Sequence, residues 1–445
     1  MSRGIDTNTM SDMTVAVAGL WHLGTVTAAC LASRGIQTIG YDRDAETVRK
    51  LRGGEPPLFE PGLADLVRAG LDRGTLRFTS TPADLADADV LWVAWDTPVD
   101  DQDRADVDVV IRELTSLFSS LRRDVLVLIS SQLPVGTARQ LEQRYAEMQP
   151  TGRATFACSP ENLRLGKAIE AFTKPERVIV GVRSEADGEK VRRLLAPFEV
   201  RIELMGVESA EMTKHALNAF LATSVAFMNE VARVAEAVGA DAREVERGLK
   251  TEGRIGPRAY LKPGAAYAGG TLARDISYLI ARGEGSQVET PLFHGVQASN
   301  DTHKAWMFAT VTRLLNNDLT GARVAVLGLT YKPGTDTLRR SSAVELCERL
   351  ARAGAKPVAF DPAVKSLPPE LAPIIELAPS VAAALAGSAA TIVATEWPEF
   401  RTITADEFAR VHASPIVIDP SGFLAASLER DARIHYHLVG KSASV

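Results

Sequence analysis

The sequence predicts an α/β chain with two doubly wound parallel sheets joined by a long central helix. Three observations carry this. Short β-rich apolar runs alternate with helical patterns at both ends of the 445-residue chain. Strand-turn-helix openings occur twice, starting at residue 14 and at residue 323. Between them, residues 209–239 keep helical apolar spacing with no proline and no glycine before the last position.

The first opening reads TVAVAG over 14–19, then a helical pattern over 25–34 that Gly35 closes. A second strand at 37–41 ends on Asp42, which completes a βαβ unit. Further buried strands are predicted at 90–94, 125–130 and 178–182. The middle helix, at roughly 1.5 Å per residue, is long enough to span a domain. The second opening, RVAVLG over 323–328, leads to strands at 357–361, 390–395 and 416–419. The expected domains are 13–205, 206–305 and 306–445, without a sequence repeat of fixed period.

Composition bounds the function. A net charge of −6 argues against non-specific nucleic-acid binding, which needs a basic face. The three cysteines, Cys30, Cys158 and Cys347, lack metal spacing and are too few for a disulfide framework, so a reducing cytoplasm is expected. The N-terminal residues 1–13 are polar and contain no secretory apolar segment. The uncharged run 380–395 is short and Ala-rich, so a buried helix entering a strand is expected rather than a membrane span. The seven histidines show no ligand spacing and are read as structural, with no metal site.

The turn Gly19-Leu20-Trp21-His22-Leu23-Gly24 follows a strand and opens a helix, with Asp42 about twenty residues on. That is the context of a Rossmann dinucleotide site. The helix N-terminus meets the pyrophosphate, and Asp42 accepts from ribose hydroxyls while repelling a 2′-phosphate, which favours NAD over NADP. Trp21 stands where a middle glycine usually lets the backbone approach the phosphates.

Beyond this turn the chain resembles the UDP-glucose/GDP-mannose dehydrogenase family from about residue 15 to residue 423. The matching motifs are Glu60-Pro61-Gly62-Leu63, Thr97-Pro98, Ser131 to Thr137, Pro160-Glu161-Asn162-Leu163, Lys214 with Asn218, Arg254-Ile255-Gly256 and Lys262-Pro263-Gly264. Gly328 to Lys332, Thr335-Asp336, Arg339 and Glu396-Trp397 continue the series. The resemblance implies two Rossmann-like domains and a homodimer in which Arg254 acts in the neighbouring subunit's site. It also implies NAD as cofactor and a UDP- or GDP-linked sugar as substrate. Thr97 and Thr137 join the turn residues on the cofactor side. Lys214, Asn218, Asp275 and Glu161 are the expected catalytic groups. Lys214, Arg254, Lys262, Tyr267, Gly269, Lys332 and Arg339 are expected to bind substrate.

Members of the family oxidise a primary alcohol twice, using a cysteine to trap the aldehyde. Aligned without gaps on the loop that carries it, this chain places Thr271 at the cysteine position, with Arg274 in place of a lysine. A hydroxyl is a far weaker nucleophile than a thiolate. Leu165 replaces a glutamate that the family uses nearby. The expectation is therefore a single oxidation, to a ketone or a released aldehyde, of the kind that suits unusual sugars in antibiotic pathways; a GDP-octose of the lincosamide type is the specific guess. The alternatives are an NAD-retaining epimerase, a nucleotide-sugar-binding pseudoenzyme and a conventional sugar 6-dehydrogenase. The base, the sugar and the carbon stay open at this point.

Overall fold

The computed structural model describes residues 13–98, 106–161, 163, 165–268, 270–411 and 415–442. It divides into two compact units between Lys214 and His215.

The first unit is built on eight strands: β1 (Thr14–Ala18), β2 (Gln37–Tyr41), β3 (Leu76–Thr79), β4 (Val90–Val93), β5 (Leu126–Ile129), β6 (Thr155–Cys158), β7 (Val178–Val182) and β8 (Ile202–Gly206). Their order is β3-β2-β1-β4-β5-β6-β7-β8. Both faces are covered, so the central strands are continuous apolar runs. Val15 and Val17 of β1 enter one core layer, while Ala16 and Ala18 enter the other. Full burial of each such valine or leucine contributes roughly 1.5–3 kcal/mol.

One departure from a parallel sheet occurs. β6 and β7 pair antiparallel, through Cys158 and Gly181, and β8 then runs parallel to β7. Among its described residues the connection holds one helix, the six-residue Ala168–Thr173, and it re-enters the sheet from the end where β6 leaves it. A parallel return needs a crossover over the sheet face, usually by a longer helix.

The long helix is observed at Val207–Val238 and runs across the boundary between the units. In the second unit it packs with Thr271–Gly285 and Pro291–Lys304, where Ala219, Ala222 and Ala226 meet Ile276, Leu279, Ile280 and Val296. The small alanines let the helices approach closely.

The second sheet has β9 (Arg323–Leu327), β10 (Lys356–Phe360), β11 (Glu376–Leu377), β12 (Ala390–Val393), β13 (Ile416–Ile418) and β14 (His435–His437). All pairs are parallel, in the order β11-β10-β9-β12-β13-β14. The run 380–395 forms the helix Val381–Leu385 and strand β12. The first six strands of unit one and all six of unit two share one order, which reverses direction beside the first strand. In open α/β sheets that reversal creates a crevice where ligands bind. Among the described residues no helix is long and apolar enough to cross a membrane.

Candidate functional site

At the first reversal point β1 runs into Gly19, whose φ of +92° only glycine adopts readily. A side chain on Gly24 would lie 1.7 Å from the Gly19 carbonyl oxygen, so both glycines are needed to close the turn. The helix then starts at His22, three residues earlier than the periodicity predicts, and runs to Ser33. Trp21 is its N-cap, offers no capping side chain, and is 50% exposed; the first turn carries no acid. An uncapped helix start presents N–H donors and a positive dipole end, which fits a pyrophosphate. Asp42 is partly exposed. Its Oδ2 accepts from Leu20 N–H at 2.9 Å and its Oδ1 from Asp44 N–H at 3.0 Å. A carboxylate keeps further lone pairs for ribose hydroxyls. The residues therefore fit NAD.

The other cofactor-side positions serve local structure. His22 Nε2 lies 3.1 Å from the buried Glu60, which also accepts from the backbone N–H of Gly166 and Ala168. Glu60 thus pins the segment after Leu165, whose side chain is exposed. Thr97 donates to the Gln132 carbonyl, tying the segment after β4 to the one after β5, and Thr137 donates to the Pro134 carbonyl, closing a turn. Lys214 Nζ donates to the Glu161 carbonyl oxygen at 2.7 Å, while the Glu161 carboxylate accepts from Leu163 N–H. Asn162 of that motif lies outside the described residues.

In the second unit the loop leading to Thr271 is held by three side chains that sequence reasoning did not single out. Asn229 accepts from Gly264 N–H at 2.9 Å and donates to the Ala265 carbonyl at 3.3 Å. Asn300 bonds both the N–H and the carbonyl of Tyr267, each at 3.0 Å. His303 Nε2 lies 2.8 Å from the Gly264 carbonyl. Burial lowers the His303 pKa to about 4, so the ring is neutral and the Nε2 proton goes to that carbonyl. All three lie on helices, Asn229 on the long one and Asn300 with His303 on Pro291–Lys304, and nothing in the sequence marks their partners. Tyr267 is half-buried, and burial raises its hydroxyl pKa to about 12. Lys262 is exposed, and Gly269 lies outside the described residues.

Gly270 caps the helix Thr271–Gly285 at a φ of +104°, and a side chain there would meet the Tyr331 hydroxyl at 2.8 Å. Thr271 is the exposed first residue of that helix. One turn on, Asp275 is 1% exposed and is engaged by two side chains of the long helix: His215 Nδ1 lies 2.7 Å from Oδ1, and Asn218 Nδ2 donates to Oδ2. The structure brings two of the expected catalytic groups, Asn218 and Asp275, into direct contact, a bond the sequence did not predict, and adds His215. All three cysteines are buried elsewhere in the fold. Burial raises the Cys30 and Cys347 thiols to about 12 and pushes Cys158 higher still, which suppresses thiolate formation.

At the second reversal point a cavity of about 290 Å³ is lined by Ala265, Ala268, His303, Lys304, Trp306, Thr330, Tyr331, Lys332, Ser341 and Thr395, among others. Lys332 is exposed at its rim. Arg339 is also exposed, on the same loop. The adjacent helix Ser342–Arg352 is already capped, because the buried Ser341 hydroxyl accepts from Ala343 and Val344 N–H. The cations at this crevice, Lys332 and Arg339, are therefore on the loop before the helix. Arg254 lies on a separate loop, its side chain 89% exposed and in contact with Glu252.

Known proteins match this chain along its length. Models of the UDP-glucose/GDP-mannose dehydrogenase family match residues 13–199 as the NAD binding domain, 208–302 as the central domain and 325–426 as the UDP binding domain. The UDP-glucose 6-dehydrogenase of Pseudomonas aeruginosa is 35% identical, with 96% of this chain and 98% of that one aligned. That of Haloferax volcanii is 34% identical over 92% of this chain and 96% of its own length. Among solved structures, a UDP-glucose dehydrogenase from Pyrobaculum islandicum superposes with a TM-score of 0.85 at 27% identity, covering 99% of this chain and 100% of that one.

Proposed function

The chain belongs to the UDP-glucose/GDP-mannose dehydrogenase family, NAD-dependent oxidoreductases of nucleotide sugars, and from that premise we propose that it removes one hydride per sugar and forms no acid. The observation that carries the proposal is Thr271. It heads the helix that bears Asp275, and the gapless alignment of the loop puts it where the family carries its thiol, while the chain's three cysteines are buried and held protonated. A secondary alcohol needs no covalent trap, because its ketone has no hydrogen left to transfer.

NAD, held at the Gly19–Gly24 turn and by Asp42, would supply the acceptor for a hydride from carbon. The hydroxyl proton must leave as well, to Asp275 through a water that it orders, and the oxyanion that develops as the proton leaves needs donors until the hydride departs and the neutral ketone forms. Lys214 and Asn218 lie one turn apart on the long helix and are the donors for the oxyanion. The Asn218 amide has two N–H groups, so it bonds Asp275 and still has one to offer. Lys332, Arg339, Lys262 and Tyr267 bind the nucleotide sugar, with Arg254 reaching it from a second copy. Phe220, Phe227 and Val234 stand exposed at seven-residue spacing on the long helix and supply the surface that the copy covers. A fully active monomer at micromolar concentration overturns that assembly. In this reading 13–205 carries NAD, 206–305 joins the copies and 306–445 carries the nucleotide sugar, in a reducing cytoplasm.

The relatives' names favour a UDP-linked sugar as the first substrate to try; a GDP-octose of an antibiotic pathway is the second. The test is stoichiometry with product mass. One NADH per sugar and a product two hydrogens lighter is the expected result. Two NADH and a carboxylate make the chain a conventional 6-dehydrogenase, an inverted sugar without NADH an epimerase, and binding without product a pseudoenzyme.

A further inference from the structure

Asp275 lies on the second turn of its helix, away from water, and both its oxygens are engaged from one face of the long helix. His215 and Asn218 are three residues apart there, the spacing that sets two side chains side by side. His215 is itself buried, and its ring stacks on Tyr278 with centroids 4.0 Å apart and planes at 27°. That stack fixes the plane of the imidazole. The bond to a carboxylate, which only accepts, fixes Nδ1 as the protonated nitrogen. The surrounding helix contact is built from alanine, isoleucine and leucine, so packing alone calls for an apolar residue at this position. A polar ring there answers the carboxylate, since a buried carboxylate without donors is costly.

We propose that His215 is a positioning residue for the oxidation. It holds the Asp275 carboxylate in one rotamer, with Asn218 on the other oxygen, so that the pair meets the reacting alcohol in a single geometry. Each support acts on a different oxygen, and removing one lets the carboxylate turn about its Cβ–Cγ bond and carry the Asn218 amide with it. The inference rests on the reading of Asn218 and Asp275 as part of the hydride-transfer machinery.

The test uses the full chain with NAD and UDP-glucose. His215→Phe keeps the stack on Tyr278 and removes the donor; its kcat falls about thirtyfold to a hundredfold, the scale of a misplaced group, with KM for UDP-glucose within about threefold. His215→Asn places an N–H where Nδ1 was and restores at least about a third of the wild-type kcat. Should the phenylalanine variant not fold, His215→Ala, which only removes atoms, takes its place. Unchanged kcat in the donor-less variant, or no rescue by asparagine, overturns the inference. Asp275→Asn separates the two levels: wild-type activity there sinks the role of Asp275 itself. A dead Asp275→Asn beside an active His215→Phe sinks only the role of His215. If the wild type forms no NADH with UDP-glucose, or with GDP-mannose in its place, the decision passes to nitrogen NMR of labelled histidine. A His215 Nδ1–H resonance that disappears in Asp275→Leu supports the clamp, and its absence in the wild type overturns it.

Discussion

Gly19 and Gly328 end the first strands of their sheets with φ of +92° and +91°, and each donates its N–H to the last residue of the neighbouring strand. In each case the next residue, Leu20 or Leu329, donates to an aspartate after that strand, Asp42 or Asp361. The sequels differ. After Gly19 a helix begins within three residues, uncapped, and Asp42 stays partly exposed. After Gly328 the loop runs to Ser341 before a helix that is already capped. Asp361 is 2% exposed and also accepts from Thr330 N–H and hydroxyl, Trp397 Nε1 and Ala363 N–H. A strand-glycine-acid pattern therefore marks the crevice but not the chemistry. What decides that is whether the acid and the helix start still have bonding capacity to offer a ligand.

The largest effect that separates the two acids is on stability. Asp361→Ala strands five donor contacts in a buried site. Each buried donor left unmet costs about 1–3 kcal/mol, partly relieved by relaxation, so a total loss of about 3 kcal/mol or more is expected. Thermal unfolding should then fall by roughly 6–12 °C for a domain of this size. A fall within about 2 °C removes the contrast.

Asp42→Ala comes next, and its effect moves from stability to binding. The carboxylate supports the N–H of exposed Asp44 and that of buried Leu20, two donors against five at Asp361, so unfolding shifts by only about 1–2 kcal/mol. Loss of the ribose acceptor weakens NAD about tenfold and narrows its lead over NADP. Titration of both cofactors checks this, and an equal or stronger NADP preference in the wild type breaks the reading of Asp42.

Lys332→Ala probes the other crevice. The side chain is exposed, so stability stays within about 0.5 kcal/mol. Loss of one cation near a diphosphate weakens UDP-glucose about fivefold to tenfold and leaves NAD unchanged. Calorimetric titration of each ligand distinguishes this from a general loss of folding, which would weaken both.

The interior strands were legible because they are covered on both faces and read as apolar runs: β1, β2, β4, β5 and β7, and β9, β10, β12 and β13, lie where the sequence places them. The strands it missed are mostly sheet edges. β3, β8, β11 and β14 each have one neighbour and tolerate polar residues such as Arg77, Glu203, Glu376 and His437. β6 is interior, but its residues Thr155-Phe156-Ala157-Cys158 include no Val, Ile or Leu, unlike the other interior strands. At the site, the turn glycines followed from motif and spacing, and Asn218 and Asp275 were named from the family resemblance, without the bond between them. The partners of Asn229, Asn300 and His303 did not, because each bonds a backbone group tens of residues away. Nor did His215, whose meaning depends on a carboxylate 60 positions along the chain.

The smallest expected effect gives the first helix the cap that the C-terminal one has. Trp21 is the N-cap of that helix but contributes only backbone, its carbonyl accepting from Thr25 N–H. Trp21→Ser adds a hydroxyl that accepts from an N–H of the first turn, as Ser341 does for its own helix. An N-cap of this kind stabilises a helix by about 1 kcal/mol, offset by the packing of the half of the indole that is covered, so the melting temperature moves little. The hydroxyl competes with a phosphate for the same donors, so NAD affinity falls about twofold to fivefold. Trp21→Ala isolates the loss of the indole, and its NAD affinity stays within about threefold if the ring turns away from the cofactor. Tighter NAD binding by the serine variant than by the alanine variant would mean that the helix start is not where the pyrophosphate sits, and the comparison between the two crevices would lose its basis.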